Sequence, residues 1–326
     1  MAETVLVTGS TGFIGRGLVK RLAAGGLRVR CLVRPGSDIS RLPPGVELAM
    51  GDLLDAASLE AALRGAAQVW HLAALVRPGG FLVRRKGLEE RFLSVNAAAT
   101  GLLARAASRA GVKRFIYFSS VSALGPGENL RDDAGPRPLT LYGKSKLAGE
   151  AALKEAARGG LDFVILRPSM VYGPGSPGWM PLFETVRRGM APVPDGAANT
   201  FSVCYLENLL DAALLAARTA PAGSAMNVSE GSITVRELFL TLGALAGRRP
   251  VIIGLPVNFL KAFSGALEAL LSLAGLYMPG FIAADSARVE EACASWSHNS
   301  ERLRALGWRP AVTTEKGLAA SLGAGA

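Results

Sequence analysis

Residues 7–15 read VTGSTGFIG, and the placement of this stretch decides the fold. It follows the apolar run TVLV (4–7) and leads into residues that favour a helix. Gly9, Gly12 and Gly15 allow a tight turn between strand and helix. They also let backbone N–H groups and the helix N-terminus approach a pyrophosphate. The spacing is G-x-x-G-x-x-G rather than the tighter G-x-G-x-x-G. A glycine triplet alone is a weak signal, but one directly after the first strand is a strong one.

Outward from this loop, short apolar strands alternate with helical stretches. Strands are expected at 4–9, 28–33, 46–52, 68–74, 114–120 and 162–168, and helices at 13–25, 56–64, 88–110 and 139–158. This alternation predicts an α/β fold, a doubly wound parallel sheet with helices on both faces. After Pro168 the pattern loosens into Gly- and Pro-rich turns such as VYGPGSPGWMP. We expect a dinucleotide-binding domain over 1–168 and a mainly substrate-binding region over 169–326. A strand near 225–228 is expected to return to the sheet.

The net charge is +10. It fits either a plainly basic surface or attraction to an anionic partner. No basic run interleaved with aromatics is present, so nucleic acid is not expected as a partner. Three scattered cysteines fit a reducing cytoplasm, and two distant histidines, His71 and His298, offer no metal site. No signal peptide is expected. The apolar stretch 251–284 is broken by Lys261, Glu268 and Pro279. Its longest uncharged run falls short of the roughly 18–20 residues of a spanning helix. It reads as a core helix of the smaller region, or as an apolar substrate wall or membrane-contacting lip. Residues 76–92, VRPGGFLVRRKGLEERF, read as a solvated loop or as a second lip against an anionic lipid surface.

Two further positions speak to chemistry. The second strand ends CLVRPGS, placing Arg34 where an acidic residue would hold the adenosine ribose of NAD. An arginine there suits a 2′-phosphate, so NADP(H) is expected, with NAD(H) still open, unless Arg34 simply points to solvent. In LTLYGKSKLAGE (139–150), Tyr142 and Lys146 stand one helical turn apart on one face, with Lys144 turned elsewhere.

The glycine loop, GDL (51–53), HLAA (71–74), SVNAAATG around Asn96, YFSSVSALG (117–125) and the Y-x-x-x-K of 142–146 together resemble the extended short-chain dehydrogenase/reductase family, the NAD-dependent epimerase/dehydratase group. The resemblance covers almost the whole chain and implies a Rossmann fold. It further implies Tyr142 as the acid/base, with Lys146 binding the nicotinamide ribose and lowering the tyrosine's pKa. Ser120, five residues before Gly125, would hold the substrate oxygen, in preference to Ser119 or Ser122. Asn96 would support the lysine through water, unless it only caps a helix kink. Gly9, Thr11, Gly12, Phe13, Ile14, Gly15, Arg34, Asp52, Leu53, Ala73, Ala74 and Pro168 would line the cofactor. A homodimer through 88–110 and 139–158 is a further family trait.

Within the group, sugar-nucleotide enzymes often carry an asparagine where RPSMVYGP has Met170, and an arginine where NTFSVCYLEN has Phe201. Apolar side chains there would leave a buried diphosphate without partners. The departures resemble instead the branch of 3β-hydroxysteroid dehydrogenases, dihydroflavonol reductases and long-chain ketone reductases. This implies a bulky apolar small-molecule substrate touching Ser120, Met170 and Phe201. The protein is expected in the cytoplasm, in peripheral contact with the inner face of the membrane if the apolar lips serve that end. A sugar-nucleotide epimerase or dehydratase is the alternative.

Overall fold

The computed structural model describes residues 2–194, 197–279 and 281–323. Seven strands form the central sheet: β1 (Thr4–Thr8), β2 (Arg28–Val33), β3 (Glu47–Met50), β4 (Ala66–His71), β5 (Arg114–Phe118), β6 (Phe163–Pro168) and β7 (Ser224–Val228). They are parallel. Their order is β7-β6-β5-β4-β1-β2-β3. Val5, Leu6 and Val7 of β1 have no exposed surface, as a continuous apolar strand requires when both sheet faces are covered.

Helices α1 (Phe13–Ala24) and α6 (Leu206–Thr219) cover one face; α2 (Ala56–Leu63), α4 (Ala99–Arg109) and α5 (Leu141–Ala156) cover the other. Leu18, Val19 and Leu22 of α1 share a core with Leu209 and Leu210 of α6. Leu59, Leu63, Leu103 and Leu153 fill the opposite core. The strand order reverses between β1 and β4, and the crevice beyond their carboxyl ends is where ligands bind in such sheets.

The single helix expected over 88–110 is α3 (Leu88–Leu93) and α4 joined by a π-turn at Ser94–Ala98. The wide turn moves Asn96 out of the helical ladder and onto α5. There α5 lies so close that Gly149 has no room for a side chain: a Cβ would overlap the Asn96 carbonyl and the Tyr117 hydroxyl.

The chain after residue 169 is interwoven with the first half. It returns β7 to the main sheet. It also builds a smaller sheet from Gly231–Thr234, Thr200–Tyr205 and Trp296–His298, which the early strand Gly127–Leu130 joins. Met170–Tyr172 pairs along Thr200–Tyr205, and Phe201 lies opposite Trp296.

Of the two readings of the 251–284 stretch, the core helix fails. Helix α7 (Val257–Leu273) buries only Ser264, and Phe259, Phe263, Leu270 and Leu273 are exposed. Leu276–Tyr277 pairs antiparallel with Val83–Arg84, so this stretch and the 76–92 segment meet. Among the described residues no helix is long and apolar enough to cross a membrane.

Gly149→Ala should destabilise the chain by about 1–3 kcal/mol, because the neighbouring backbone must move. Gly159→Ala is the control, since its nearest neighbour to a Cβ would be Ser108 at 3.8 Å. Thermal melts that fall equally for both would refute this account of α5 packing.

Candidate active site

A cleft of about 1220 Å³ opens at the switch point between β1 and β4. Its floor is the glycine loop. Gly9 has φ +70°, and a Cβ there would lie 2.6 Å from the Ala73 nitrogen. At Gly15 a Cβ would collide with the Gly9 carbonyl. The N-cap of α1 is Gly12, with no side chain bonded to the first-turn amides. Those amides are therefore left for an anion. Every residue assigned above to the cofactor borders this cleft: Gly9, Thr11, Gly12, Phe13, Ile14, Gly15, Arg34, Asp52, Leu53, Ala73, Ala74, Tyr142, Lys146 and Pro168. Arg34 is exposed at the end of β2. Asp52 uses its carboxylate to accept from the Leu54 N–H at 2.9 Å, fixing the turn after β3. The volume of the cleft, the uncapped first-turn amides and the glycines of the loop fit a dinucleotide.

At the far end stand Ser120, Tyr142 and Lys146. Two adjacent serines take different directions. Ser119 is buried and donates to Glu150 at 2.6 Å. Ser120 begins a short turn, accepts from the Ser122 N–H at 3.1 Å, and faces the cleft. Tyr142 shares a hydrogen bond with Ser120. Lys144 is exposed, as its place on the opposite side of α5 requires.

Lys146 is 1 % exposed. Its ammonium donates to the Phe118 carbonyl at 2.6 Å and lies 4.3 Å from the centre of the Tyr117 ring. Burial pushes its pKa down to about 7, against the pull of Glu150. Burial also raises the Tyr142 phenol to about 12, the Ser120 hydroxyl opposing and Glu291 adding to the rise. The expected lowering of the tyrosine by Lys146 is thus not what the protein's own groups produce. Both side chains are desolvated, and the lysine is itself only partly charged near neutrality.

Asn96 stands behind the cleft rather than in it. Its amide accepts from the Leu75 N–H at 2.7 Å and donates to the Leu75 carbonyl at 2.8 Å and the Ser145 hydroxyl at 2.8 Å. Ser145 donates to the Tyr142 carbonyl. Asn96 thereby ties the segment after β4 to the turn of α5 that bears Tyr142. His71 is fully buried between Thr8, at 2.7 Å, and Thr100, at 2.9 Å. Burial lowers its pKa to about 3, so it is a neutral strut.

Ser120 also borders a second cavity of about 380 Å³, walled by Met170, Phe201, Ile282, Trp296, Arg288 and Glu291. The two positions singled out for substrate, Met170 and Phe201, come together here. Two neighbours escaped the sequence reading. Ser169 lines both spaces, and its buried hydroxyl has no partner among the described residues. Glu291 lies on α8 (Ser286–Cys293), far along the chain, and no motif marks it.

A parallel sheet of this order, with a glycine loop and a Ser-Tyr-Lys set at its carboxyl edge, defines a nicotinamide-dinucleotide-dependent enzyme of the short-chain dehydrogenase type. The chain belongs to the NAD dependent epimerase/dehydratase family, whose sequence model matches residues 5–229. It is 38% identical over 178 residues to the sterol demethylase protein B of Methylococcus capsulatus, covering 52% of each chain. It is 33% identical to a 3 beta-hydroxysteroid dehydrogenase/Delta 5→4-isomerase of Mycobacterium tuberculosis, over 65% of this chain and 60% of that one. The chain thus spans little more than half of these two relatives. It is 30% identical to the UDP-glucose 4-epimerase of Vibrio cholerae, covering 97% and 94%. Among solved structures, gox2253 superposes with a TM-score of 0.82 at 26% identity, covering 98% and 97%. MoeE5 in complex with UDP-glucose and NAD does so with 0.75 at 27%, covering 99% and 98%.

Burial raises Glu291 from 4.5 to about 7, opposed by Thr140 and Arg288. Between those values the folded carboxyl keeps a proton that the unfolded one has released, so folding stability falls as pH rises from 4.5 through 7. Urea midpoints of the wild type and Glu291→Gln should diverge over this window, the wild type losing ground. A pH-independent gap would contradict the shift.

Proposed function

We propose that this chain is an NADP(H)-dependent oxidoreductase that reduces a ketone, or oxidises the corresponding alcohol, on a bulky apolar substrate. A 3-keto lipid, a long-chain β-keto compound or a sterol-like molecule fits. The observation that carries this reading is the cavity beyond Ser120. Met170, Phe201, Ile282 and Trp296 wall it together with four serines, Arg288 and Glu291; Arg288 is engaged by Pro279 and Asp285, so a sugar diphosphate would find little to match its charge. The resemblance to sterol-related relatives supports it. Arg34, exposed on the cleft and with no acidic residue beside it at the strand end, supports the phosphorylated cofactor.

The bound dinucleotide supplies or accepts the hydride. The protein's residues handle the oxygen and the proton. Ser120 and Tyr142 hold the carbonyl oxygen by hydrogen bonds. Tyr142, protonated at neutral pH, gives its proton to the oxygen as the alcohol forms. Lys146, fixed by Phe118 and Tyr117, binds the ribose and sits one turn from the phenol. Residues 1–168 carry the cofactor in this scheme, and 169–326 mainly the substrate.

Consumption of NADPH, followed at 340 nm with long-chain ketones and a 3-ketosteroid, tests the reading. Tyr142→Phe should lose about 10²–10⁴-fold in rate while dinucleotide binding persists. Turnover of a UDP- or GDP-sugar with no net consumption of cofactor would replace this reading by that of an epimerase.

We further propose that the mouth of the site rests on an anionic membrane surface. Phe81 is 77% exposed, Phe259 65% and Leu273 89%. Exposed Arg77, Arg84, Lys86 and Lys261 accompany them on the two joined segments. Apolar anchors with nearby cations suit an interface carrying anionic lipid. The purified protein should float with anionic vesicles and not with neutral ones, and Phe259→Asp with Phe263→Asp should release it. A dimer that hides these side chains, with no vesicle binding, would overturn the assignment.

A further inference from the structure

The cavity beyond Ser120 has a mixed lining, in which four serines, Arg288 and Glu291 join the apolar side chains. Two of these polar groups are occupied. Ser202 accepts from the His298 N–H at 2.8 Å and shares a hydrogen bond with Ser232 at 3.0 Å. Arg288 donates to the Pro279 carbonyl at 3.1 Å and lies 3.9 Å from Asp285. Ser169 has no partner, but it borders the cofactor cleft as well and belongs to the end where the two spaces meet. Glu291 is different. Its Oε1 accepts from the Thr140 hydroxyl at 3.1 Å. No ion pair or second hydrogen bond reaches its carboxyl among the described residues, so Oε2 is uncommitted. The group is also held in place. Trp296 Nε1 donates to the Glu291 carbonyl at 2.8 Å and Asn199 to the Ala292 carbonyl at 3.0 Å, which fixes the last turn of α8. Thr140 is fixed in turn, because it caps α5 by accepting from the Gly143 N–H. A rigid carboxyl oxygen without a donor costs free energy until a ligand supplies one. Such a group, placed in a pocket, sets the orientation of a largely apolar ligand.

Resting on the ketone reading above, we infer that Glu291 selects ketones that carry a hydroxyl several carbons away from the carbonyl. The substrate hydroxyl donates to Oε2 while Ser120 and Tyr142 hold the carbonyl oxygen, so one molecule is fixed at two points. A space of about 380 Å³ is roughly 9 Å across if taken as a sphere, so a substrate seated at Ser120 reaches Glu291. The carbon skeleton between the two oxygens lies along Met170, Phe201, Ile282 and Trp296. Glu291 takes part in no bond-breaking step. It determines which ketone binds and how that ketone is turned toward the dinucleotide. A site built to hold a hydroxyl discriminates strongly against the analogue that lacks it, because its own polar group is then left unpaired.

The test compares 7-hydroxy-2-undecanone with 2-undecanone and with 7-methoxy-2-undecanone, which keeps the second oxygen but has no donor. The full chain is assayed by NADPH consumption, with kcat and KM determined separately. Binding of the same three compounds in the presence of NADP⁺ is measured by calorimetry. The wild type should show a KM for the hydroxyketone at least about tenfold below that for either other ketone. Glu291→Leu should abolish the gap, and Glu291→Gln should keep part of it, because the amide oxygen still accepts. A role confined to steadying the α5 cap would slow all three ketones alike and leave their KM ratios unchanged; that result in Glu291→Leu would overturn the inference. Equal KM values for the hydroxylated and plain ketones in the wild type would overturn it too, with the reductase reading left standing. Preferential binding of the hydroxyketone that Glu291→Leu loses, with no NADPH consumed, would sink the reductase reading and leave the anchor in place. Neither binding nor turnover of any of the three would remove both.

Discussion

The site is measured from one contact: helix α5 pressed against the Ser94–Ala98 turn and β5. The approach is close because residues 143 and 149 carry no side chain; a Cβ at either would strike the Ser122 or the Asn96 carbonyl. Tyr142, Ser145, Lys146 and Glu150 all lie on this helix. Their separations from the strand ends are therefore set by backbone contact rather than by long flexible side chains. Asn96 completes the arrangement by spending its amide on Leu75 and Ser145. A π-turn, which widens a helix at one point, is how the chain presents that amide sideways.

The same helix sends two opposite charges inward, one turn apart. Lys146 goes to the cleft. Glu150 goes beneath it, where Arg167 meets both its oxygens, at 2.8 and 2.6 Å, and Ser119 adds a third bond. Arg167 also donates to the Asp132 carbonyl at 2.8 Å. Losing one partner of such a buried pair costs about 3–5 kcal/mol, because the other is left without compensation. The satisfied pair lets Arg167 sit in the apolar strand FVILRP, and it locks α5 to β6. The two serines after β5 divide accordingly, Ser119 serving the buried pair and Ser120 the cleft.

Much of this was legible in the sequence, and the reasons differ by element. The strands of the main sheet read clearly because burial on both faces demands continuous apolar runs. The glycine loop, Tyr142 and Lys146 read clearly because their spacing is local, and a turn or one helical step is all that relates them. The long helix was foreseen, with a kink at Asn96 raised as an alternative, but not the π-turn itself, since SVNAAATG has ordinary helical composition. The apolar segment around 257–273 kept two readings open because periodicity reveals a face but not what covers it. Glu291 was invisible: it reaches the site through a helix about 150 residues beyond Tyr142, and the second of two adjacent glutamates in ARVEEAC carries no local signal.

The division between local and distant residues has a chemical counterpart. The cleft is built almost wholly from segments within the first 168 residues, where backbone amides and small side chains meet a ligand of constant shape. The cavity beyond Ser120 is assembled from Met170, Phe201, Ile282 and Trp296 on separate later elements. Each of those positions lies outside the glycine loop and α5. Family members with a common cofactor end can therefore differ at the substrate end. In this chain the substrate end is lined by apolar side chains and serines, with Arg288 and Glu291 as its charged groups. Arg288 is occupied by Pro279 and Asp285, so Glu291 is the charged group left facing the substrate. Under the proposed function, a carboxyl at that place would repel a second negative charge, and the cation beside it is already engaged within its own helix and by Pro279.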